Sequence, residues 1–336
     1  MTLPTASFRT RRTAARLALA FSLAPLALAA LPAAAQEAFP AKPITLVVPF
    51  PPGGSADILG RLIGKRLADE LKQPVVIDNR PGAGTAVGAG AVAKAKADGY
   101  TLLLSSGSTF TVNPALRTNL PYDPVQSFDP IAIVARIPLI LIAHKDVPVG
   151  KVQEFAAAAK AQPDRFAYAS FGSGTTSHFT AEIVLQALGV KLVHVPYKGS
   201  GPAMTDLIGG QVPYSFDTVT AALPHLKTGK IKAIAVTTGK RSSQLPNVPT
   251  FAEAGYPQVN ADTWIMFAAP KGTPAAVRAR LETALAKIVA TPEARTAILA
   301  QGAEPAFSPS AAAAAQIDKE LPMMRAIARR ANIQPD

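Results

Sequence analysis

Short apolar runs alternate with amphipathic stretches along the chain from residue 44 onwards. The apolar, often β-branched runs predict strands, and apolar positions spaced by three or four residues between them predict helices. The predicted strands are Ile44–Val48, Val75–Asp78, Thr101–Leu104, Ile131–Val134 with Leu139–Ala143, Phe166–Ala169, Leu192–Pro196, Tyr214–Asp217, Ala233–Thr237 and Trp264–Ala268. The predicted helices cover residues 55–71, 84–96, 150–161, 175–188, 200–209, 219–228, 249–254, 274–290, 292–301 and 308–330. Such alternation predicts an α/β fold around a mostly parallel sheet.

The order of these elements predicts two lobes. Residues 138–256 contain a complete set of α/β units, whereas the segment after Trp264 supplies long helices and a single predicted strand. That strand is too little sheet to fold alone, so we expect this segment to return to the first lobe. The chain would then cross twice between a discontinuous lobe (36–137 with 257–336) and a second lobe (138–256). Two crossover segments predict a bilobed fold with a cleft, where small ligands commonly bind.

The first 35 residues read as an export signal. A basic start is followed by the apolar stretch Leu17–Leu31 and by the small residues Ala33–Ala35. We expect cleavage near Ala35 and a mature chain beginning near Gln36. A membrane anchor is less well supported, because the stretch has about 15 apolar residues, contains Pro25, and a span needs about 20. The pair Arg11-Arg12 leaves the choice between general and twin-arginine export open.

Charge and cysteine content exclude several functions. The net charge of +12 would fall to +8 without the four Arg of the signal. The basic residues are spread, with no run of five like charges, so nucleic acid is not an expected partner. The chain has no Cys, which excludes disulfides, iron–sulfur clusters and thiol catalysis.

Three turns rich in Gly, Ser and Thr each follow a predicted strand and open a helix. They are "PFPPGGSAD" (49–57), "SSGSTFTVNP" (105–114) and "SFGSGTTSH" (170–178). The first N–H groups of a helix lack intrahelical partners and carry the positive end of its dipole, so such turns attract anions. Each hydroxyl could instead only cap its helix, as Ser and Thr often do. Three such turns in two lobes favour an anion site.

Nucleotide binding is not indicated by the glycine motifs. The phosphate-loop pattern G-x-x-x-x-G-K-[ST] is absent. The stretch "DNRPGAGTAVGAG" (78–90) imitates a dinucleotide fingerprint, but Pro81 extends its turn and Asp98 precedes the next strand instead of following it. We therefore expect no cofactor.

Catalytic and metal motifs are similarly missing. There is no G-x-S-x-G elbow, and His144, His194 and His225 lack the spacing of metal ligands. A Ser paired with His178 leaves an exported hydrolase as the alternative, although a histidine lining a pocket is the simpler interpretation.

Two later strand ends carry polar side chains. Tyr197 and Lys198 precede another glycine turn, and Asp217 and Thr218 end the next strand. Asp217 could recognise a ligand amine, hold loop N–H groups, or cap the following helix. Lys198 could bind a carboxylate or be solvated.

Several long blocks, in order, resemble one known family. After a signal peptide come "KPITLVVPFPPGGSADILGRLI", "VVIDNRPGAGTAVGAGAVAKAKADGYTLLL", "ASFGSGTTSH", "VPYKGSGPAMTDLIGGQV" and "LPNVPTFAEAGYP". The chain is similar, over essentially its whole mature length, to the substrate-binding receptors of tripartite tricarboxylate transporters, also called the Bug family.

The resemblance implies a periplasmic-binding-protein-like fold of type II, closing over a small organic carboxylate. By motif match, the first-lobe loop would contribute Pro51, Gly53, Gly54, Ser55 and Asp57. The matching second-lobe loop would contribute Ser173, Gly174, Thr175, Thr176 and His178. The variable part of the cleft would be lined by Ser106, Ser108, Tyr197, Lys198, Asp217 and Thr218.

The resemblance also implies a periplasmic receptor and not an enzyme. We expect a monomer, the default for a receptor that must dock, and no metal, because the histidines lack the spacing of metal ligands. Such a receptor delivers its ligand to the membrane permease subunits of the transporter. An exported hydrolase, or a sensor that reports the ligand to a signalling partner, remain the alternatives.

Overall fold

Strands and helices alternate in the computed structural model, which describes residues 1–2, 39–162, 166–330 and 333. The strands are β1 (Ile44–Val48), β2 (Val75–Asn79), β3 (Thr101–Ser106), β4 (Phe128–His144), β5 (Ala167–Ser170), β6 (Val193–Pro196), β7 (Tyr214–Thr218), β8 (Ile231–Val236), β9 (Asp262–Pro270) and β10 (Glu304–Pro309). The helices are α1 (Ser55–Leu71), α2 (Ala86–Ala93), α3 (Asn113–Leu116), α4 (Val152–Ala161), α5 (Thr176–Leu188), α6 (Ser200–Ile208), α7 (Val219–Lys227), α8 (Ala275–Ala290), α9 (Pro292–Ala300) and α10 (Ser310–Arg330). A short 3₁₀ helix (Ala83–Thr85) precedes α2 and a π-helix (Ser108–Val112) precedes α3. The expected signal cleavage site lies outside the described residues.

One long strand, β4, joins two sheets. In the first sheet, β1 pairs in parallel with β2 and β3, and β9 pairs antiparallel with β3 and β4. In the second sheet, β5 pairs in parallel with β6 and β7, while β4 pairs antiparallel with β7 and β8. Strand β4 pairs with β9 as far as Pro138 and with β7 from Leu139 onwards.

We call the parts built on these sheets the first and second lobes. The predicted α/β, periplasmic-binding-protein-like fold is confirmed, and the described residues from Pro40 onwards form one compact unit. The expectation of a mostly parallel sheet is wrong, because every pairing of β4 and the pairing of β3 with β9 are antiparallel. The residue boundaries of the lobes stay a prediction, although the change of partner along β4 falls beside the expected boundary at 137/138.

The opening unit β1–α1 shows how the sequence pattern produces this fold. The β-branched run of β1 is buried between two neighbours. In α1, Leu59, Ile63, Leu67 and Leu71 recur every four residues and are all buried, as an amphipathic helix on a sheet requires. The carboxyl end of β1 and the start of α1 are thereby held at one edge of the sheet.

Four local predictions were wrong. The two strands predicted in residues 131–143 are one strand, β4. The strand continues through Pro138 because this residue lies where β4 changes its pairing partner from β9 to β7. Strand β10 was missed because it carries two prolines, which an edge strand tolerates. The predicted helix 249–254 is a turn, in which Glu253 accepts the Thr250 N–H and Thr250 accepts the Glu253 N–H. The predicted helix 84–96 begins instead with a left-handed turn.

Among the helices of the described residues, none has both the length and the apolar character needed to cross a bilayer.

Candidate functional site

A cleft of about 600 Å³ lies where loops of both lobes meet. The first lobe contributes three loops that follow strands or short helices, and the second lobe contributes the loops after β5 and β6. The cleft is lined by Pro49, Phe50, Pro51, Pro81, Gly82, Ala83, Gly84, Thr85, Arg117, Phe171, Gly172, Ser173, Thr175, Pro196, Tyr197, Lys198 and Gly199.

The loop between β1 and α1 reaches the cleft through Pro51. Gly54 and Ser55 line a much smaller adjoining cavity, while Gly53 is exposed. Asp57 is buried and holds the loop, because its Oδ2 accepts the Gly53 N–H at 3.0 Å. Of this predicted set, Pro51 alone lines the main cleft.

Asp57 is part of a small ionic support below this loop. Arg61 lies 2.8 Å from its Oδ1, and Asn79 donates to the same atom and to the Phe50 carbonyl. Burial alone would raise the pKa of Asp57, but the hydrogen bonds from Arg61, Gly53 and Asn79 together lower it. Asp57 is therefore an ionised acceptor that positions the loop.

The loop between β5 and α5 presents a hydroxyl to the cleft. Ser173 lines it and is 9% exposed. Its Oγ is buried without a hydrogen-bond partner among the described residues. The Thr175 hydroxyl is already engaged, because it donates to the Gly172 carbonyl at 2.6 Å. A buried hydroxyl without a partner is costly unless something else binds it.

The other residues of this loop join the lobes or support the turn. The Thr176 N–H donates to Ser108 Oγ at 3.0 Å, from one lobe to the other. Gly174 has φ +70°, and its N–H donates to His178 Nδ1 at 3.4 Å. Ser106 accepts the Ser108 N–H at 3.2 Å. Neither Ser106 nor Ser108 lines the cleft.

The second-lobe strand ends divide between cleft and core. Tyr197 and Lys198 line the cleft, and the Tyr197 hydroxyl donates to Asp206 at 2.7 Å. Asp217 is fully buried and lies outside the lining. Its Oδ1 accepts hydrogen bonds from the Ser200 hydroxyl and from the N–H and hydroxyl of Thr218.

The helix cap at the start of α7 is Thr218, whose hydroxyl accepts the Ala221 N–H. The sequence left open whether Asp217 caps this helix, and the structure shows that it does not. Burial, the dominant effect, raises the pKa of Asp217 to about 6 despite its hydrogen bonds.

The turn at Gly82–Thr85, which imitated a nucleotide motif, is a cleft wall that sequence reasoning missed. Ala83, Gly84 and Thr85 have φ of +47°, +58° and +90°. Positive φ at Ala and Thr is strained, and such strain persists where the surroundings impose it. The sequence contained a signal for this wall, because the turn follows the predicted strand β2. The carboxyl ends of the parallel strands β1 and β2 lie at the same edge of the sheet.

Asn113 is the group that holds this turn. It is fully buried, and its Nδ2 donates to the carbonyls of Ala83 and Gly84 at 3.0 and 2.9 Å. Thr109 adds a hydrogen bond to the Thr85 hydroxyl at 2.7 Å. The stretch "SSGSTFTVNP" thus supports the cleft wall through Thr109 and Asn113.

Arg117 is the second missed residue. It follows α3, is half-buried and lines the cleft. With Lys198 it gives the lining two cations, while none of the lining residues is Asp or Glu. Nothing in the pattern around Arg117 distinguished it from a solvated arginine.

The structure brings a Ser and a His together below the cleft. Ser170 Oγ lies 2.7 Å from His194 Nε2, and the His194 ring stacks on His178 at 3.9 Å. Ser170 is fully buried and does not line the cleft, so its hydroxyl does not face the space available to a substrate. The pair that the hydrolase alternative needed, a cleft Ser with His178, is not formed.

Residues of the two lobes meet across the cleft. Phe50 and Phe171, one from each lobe, meet edge to face at 6.4 Å. A Cβ added to Gly199 would lie 2.7 Å from Pro51 Cδ and closer still to Cγ. The two glycine-rich loops therefore pack directly against each other.

A protein-family comparison matches residues 59–333 to the family described as "Tripartite tricarboxylate transporter family receptor". Among curated proteins, BugT of Bordetella pertussis is 38% identical over 273 residues, covering 81% of this chain and 84% of the relative.

Solved structures agree with this match. The periplasmic binding protein BugD has 35% identity and a TM-score of 0.84, over 88% of this chain and 99% of its own. Rpa4515 of R. palustris, solved with adipate, has 35% identity and a TM-score of 0.86, over 89% and 100%. MatC of Rhodopseudomonas palustris, solved with malate, has 33% identity and a TM-score of 0.80, over 86% and 99%.

Proposed function

Because this chain belongs to the family of tripartite tricarboxylate transporter receptors, we propose that it is a periplasmic solute receptor for a small organic carboxylate. The ligand binds in the cleft between the lobes and is delivered to the membrane permease subunits of such a transporter. The family is not enzymatic, so the hydrolase alternative has no support from its relatives.

The observation that carries this proposal is the unpartnered hydroxyl of Ser173 in a cleft built to attract an anion. Ser173 precedes α5, whose first N–H groups carry the positive end of the helix dipole. Arg117 and Lys198 add positive charge, and no lining side chain opposes it. A carboxylate supplies the acceptor that the Ser173 hydroxyl lacks among the described residues.

The relatives support the same ligand class. Rpa4515 was solved with adipate and MatC with malate, and both superimpose over nearly their whole length. Uncharged donors such as hydroxyls and helix-end amides bind an anion reversibly, which suits a receptor that must release its ligand.

We further propose that residues 36–137 with 257–336 form one lobe and 138–256 the other, closing by hinge rotation. The sixteen predicted site residues divide into roles under this proposal. Pro51, Ser173, Thr175, Tyr197 and Lys198 face the ligand, and the others position the loops or join the lobes. Closure of a monomer would present a ligand-dependent surface to the permease.

The test compares Ser173, in the loop before α5, with Ser177, in the first turn of α5. Ser173→Ala should weaken carboxylate binding about 10- to 150-fold, since a hydrogen bond to a charged group contributes about 1.5–3 kcal/mol. It should leave the melting temperature without ligand nearly unchanged, because Ser173 Oγ has no protein partner among the described residues.

Ser177→Ala is the matched control. Ser177 Oγ donates to the Phe216 carbonyl at 2.6 Å and lies outside the cleft lining. This variant should lower the melting temperature and bind the carboxylate normally, as measured by calorimetry on the refolded protein. Equal affinities for wild type and Ser173→Ala would remove Ser173 from the anion site.

A further inference from the structure

The amino-terminal end of helix α5 is capped by a residue of the other lobe. Its own N-cap residue, Thr175, provides no side-chain cap among the described residues, because its hydroxyl donates to the Gly172 carbonyl. The Thr176 N–H belongs to the first turn, where no intrahelical carbonyl can accept it. It donates instead to Ser108 Oγ at 3.0 Å. Ser108 thus does for α5, from the first lobe, what an N-cap residue does for its own helix.

This cap depends on the approach of the two lobes. Ser108 opens the π-helix of the first lobe, and Thr176 opens α5 of the second. Both residues are buried. A Cβ added to the neighbouring Gly107 would lie 3.4 Å from Thr176 Cγ2, so the two elements are in direct contact. A hinge rotation that separates the lobes therefore breaks the hydrogen bond between Ser108 and Thr176.

Trp264 of β9 packs against the π-helix that carries Ser108. Its ring stacks on Phe110, with ring centroids 5.9 Å apart and an interplanar angle of 23°. Trp264 Cε2 also lies 3.7 Å from the place that a Cβ would take on Gly107. These two contacts lie on either side of Ser108 in the sequence. The position of the indole ring therefore decides where the first turn of the π-helix lies.

Glu320 of α10 orients this indole. Its two carboxylate oxygens accept the Trp264 N–H at 3.2 and 3.0 Å. Trp264 is 1% exposed, so its N–H needs a partner within the protein. Gln316 donates to Glu320 and accepts from Arg136, which pairs with Asp262 at 2.9 Å. Glu320 is thereby held beside the point where β4 passes from one sheet to the other.

A carboxylate at this place is electrostatically unfavourable. Burial, the largest effect, raises the pKa of Glu320, and the nearby carboxylate of Asp262 adds to it, despite the hydrogen bonds from Trp264 and Gln316 and the charge of Arg136. A side chain that only filled this space would cost less if it were apolar. The need of the buried indole N–H for an acceptor accounts for the carboxyl group.

We propose that Glu320 is a positioning residue for the interlobe cap: by holding the indole of Trp264, it keeps the π-helix where Ser108 accepts the Thr176 N–H. Opening of the cleft breaks the cap, and closure restores it. The role of the cap in ligand binding rests on the proposed function, because α5 begins beside Ser173 of the anion site. The positioning itself can be tested without any ligand.

Amide hydrogen exchange of the mature protein, resolved residue by residue by NMR, measures the cap directly. Ser108→Ala removes the acceptor and should speed exchange of the Thr176 N–H about 2- to 13-fold, the range that one neutral hydrogen bond contributes. Glu320→Met keeps the length of the side chain but offers the indole no good acceptor, and it should speed the same exchange by at least about twofold. Glu320→Gln keeps an acceptor and should exchange as the wild type does.

Two comparisons separate the loss of the cap from a general loss of stability. The Val190 N–H donates to the Leu185 carbonyl at the other end of α5 and should keep its wild-type exchange rate. Glu282→Met is the matched control, because Glu282 Oε2 accepts the Ser310 N–H at the start of α10. This variant removes a carboxylate that supports the same helix, and it should leave exchange at Thr176 unchanged.

A double variant tests the route from Glu320 to Thr176. In a Ser108→Ala background, Glu320→Met should add nothing to the exchange rate of Thr176, since the cap is already lost. Unchanged Thr176 exchange in a folded Glu320→Met protein would overturn the inference, and so would an equal acceleration at Val190. An undiminished effect in the Ser108→Ala background would overturn it as well.

The same outcomes apply to Trp264→Phe, should the Glu320→Met chain not fold. This variant removes the indole N–H and keeps an aromatic ring against Phe110. It should speed exchange at Thr176 and lose that effect in the Ser108→Ala background.

Calorimetry with adipate and malate, the compounds present in the structures of two relatives, connects the cap to ligand binding. For a probe that the wild type binds, Glu320→Met should lower the affinity by at least about twofold and Glu320→Gln should not. Unchanged affinity in Glu320→Met would overturn the role of the cap in binding. If no carboxylate binds the wild type, the proposed function falls, and hydrogen exchange alone decides whether Glu320 positions the cap.

Discussion

Substitution of Gly199 by Ala should block closure of the cleft without preventing folding. Gly199 has φ +124°, and a Cβ there would overlap the ring of Pro51 on the opposite lobe. The 2.7 Å approach to Pro51 Cδ is at least 0.7 Å inside ordinary contact, which begins at 3.4 Å. Opening the lobes relieves this overlap, so the cost falls on the closed, ligand-binding state.

The expected size follows from the cost of overpacking. Inserting a methyl into a filled contact costs about 1–3 kcal/mol, which corresponds to a loss of affinity of about 5- to 150-fold. Calorimetric titration with the carboxylate that binds the wild type most tightly measures this loss, and thermal unfolding without ligand measures stability.

The Pro51→Ala background separates the overlap from backbone strain, and Gly189→Ala shows the effect of a Cβ added at a positive φ without any overlap. Gly189→Ala places a Cβ at φ +64° with no atom within 4 Å, so it should lower stability by about 1 kcal/mol and leave affinity intact. In a Pro51→Ala background, the two nearest atoms, Cγ and Cδ of Pro51, are removed and its Cβ lies 3.6 Å from the added Cβ. The penalty of Gly199→Ala should then fall by more than half. An equal penalty with and without the Pro51 ring would refute the closure argument.

Two further predictions concern groups behind the cleft. Asn113→Ala should weaken carboxylate binding, because Ala83 loses the hydrogen bond that holds its positive φ. Adding Ala83→Gly should restore part of the affinity, since glycine adopts that conformation freely. If Asn113 had a purely structural role, calorimetry would show no such rescue. Asp217→Asn should stabilise the protein mainly above pH 6, by up to about 3 kcal/mol. The buried carboxyl of Asp217 has a folded pKa raised from 3.8 to about 6. The wild type therefore gains stability as pH falls through that range and the variant does not. Parallel stability–pH curves from 4 to 8 would contradict this.

Strands and helices could be predicted from the sequence where the local hydrophobic pattern alone determined them. Strand β1 was predicted to the residue, and α1 was predicted from its four-residue apolar repeat. Strand β10 was not, because its prolines argue against a strand unless the chain is known to pair at an edge. Pairing partners distant in sequence decide such cases.

The sequence motifs predicted which loops form the site, but not which of their side chains face the cleft. The motifs located Ser173 and Pro51, which line the cleft. They could not show that Asp57 and His178 face inward to support their loops. The contribution of Arg117 depends on a short helix bringing it back to the cleft, which no local spacing indicated.

The central claim, that this receptor binds a carboxylate, is tested most directly by thermal unfolding of the refolded mature protein against mono-, di- and tricarboxylates, acidic amino acids and aromatic acids. A ligand that binds only the folded state stabilises it by about 2.7 kcal/mol at a hundredfold excess over its Kd. We predict a clear rise in melting temperature with at least one carboxylate, greatly reduced in Ser173→Ala. No shift with any member of the panel would contradict the account.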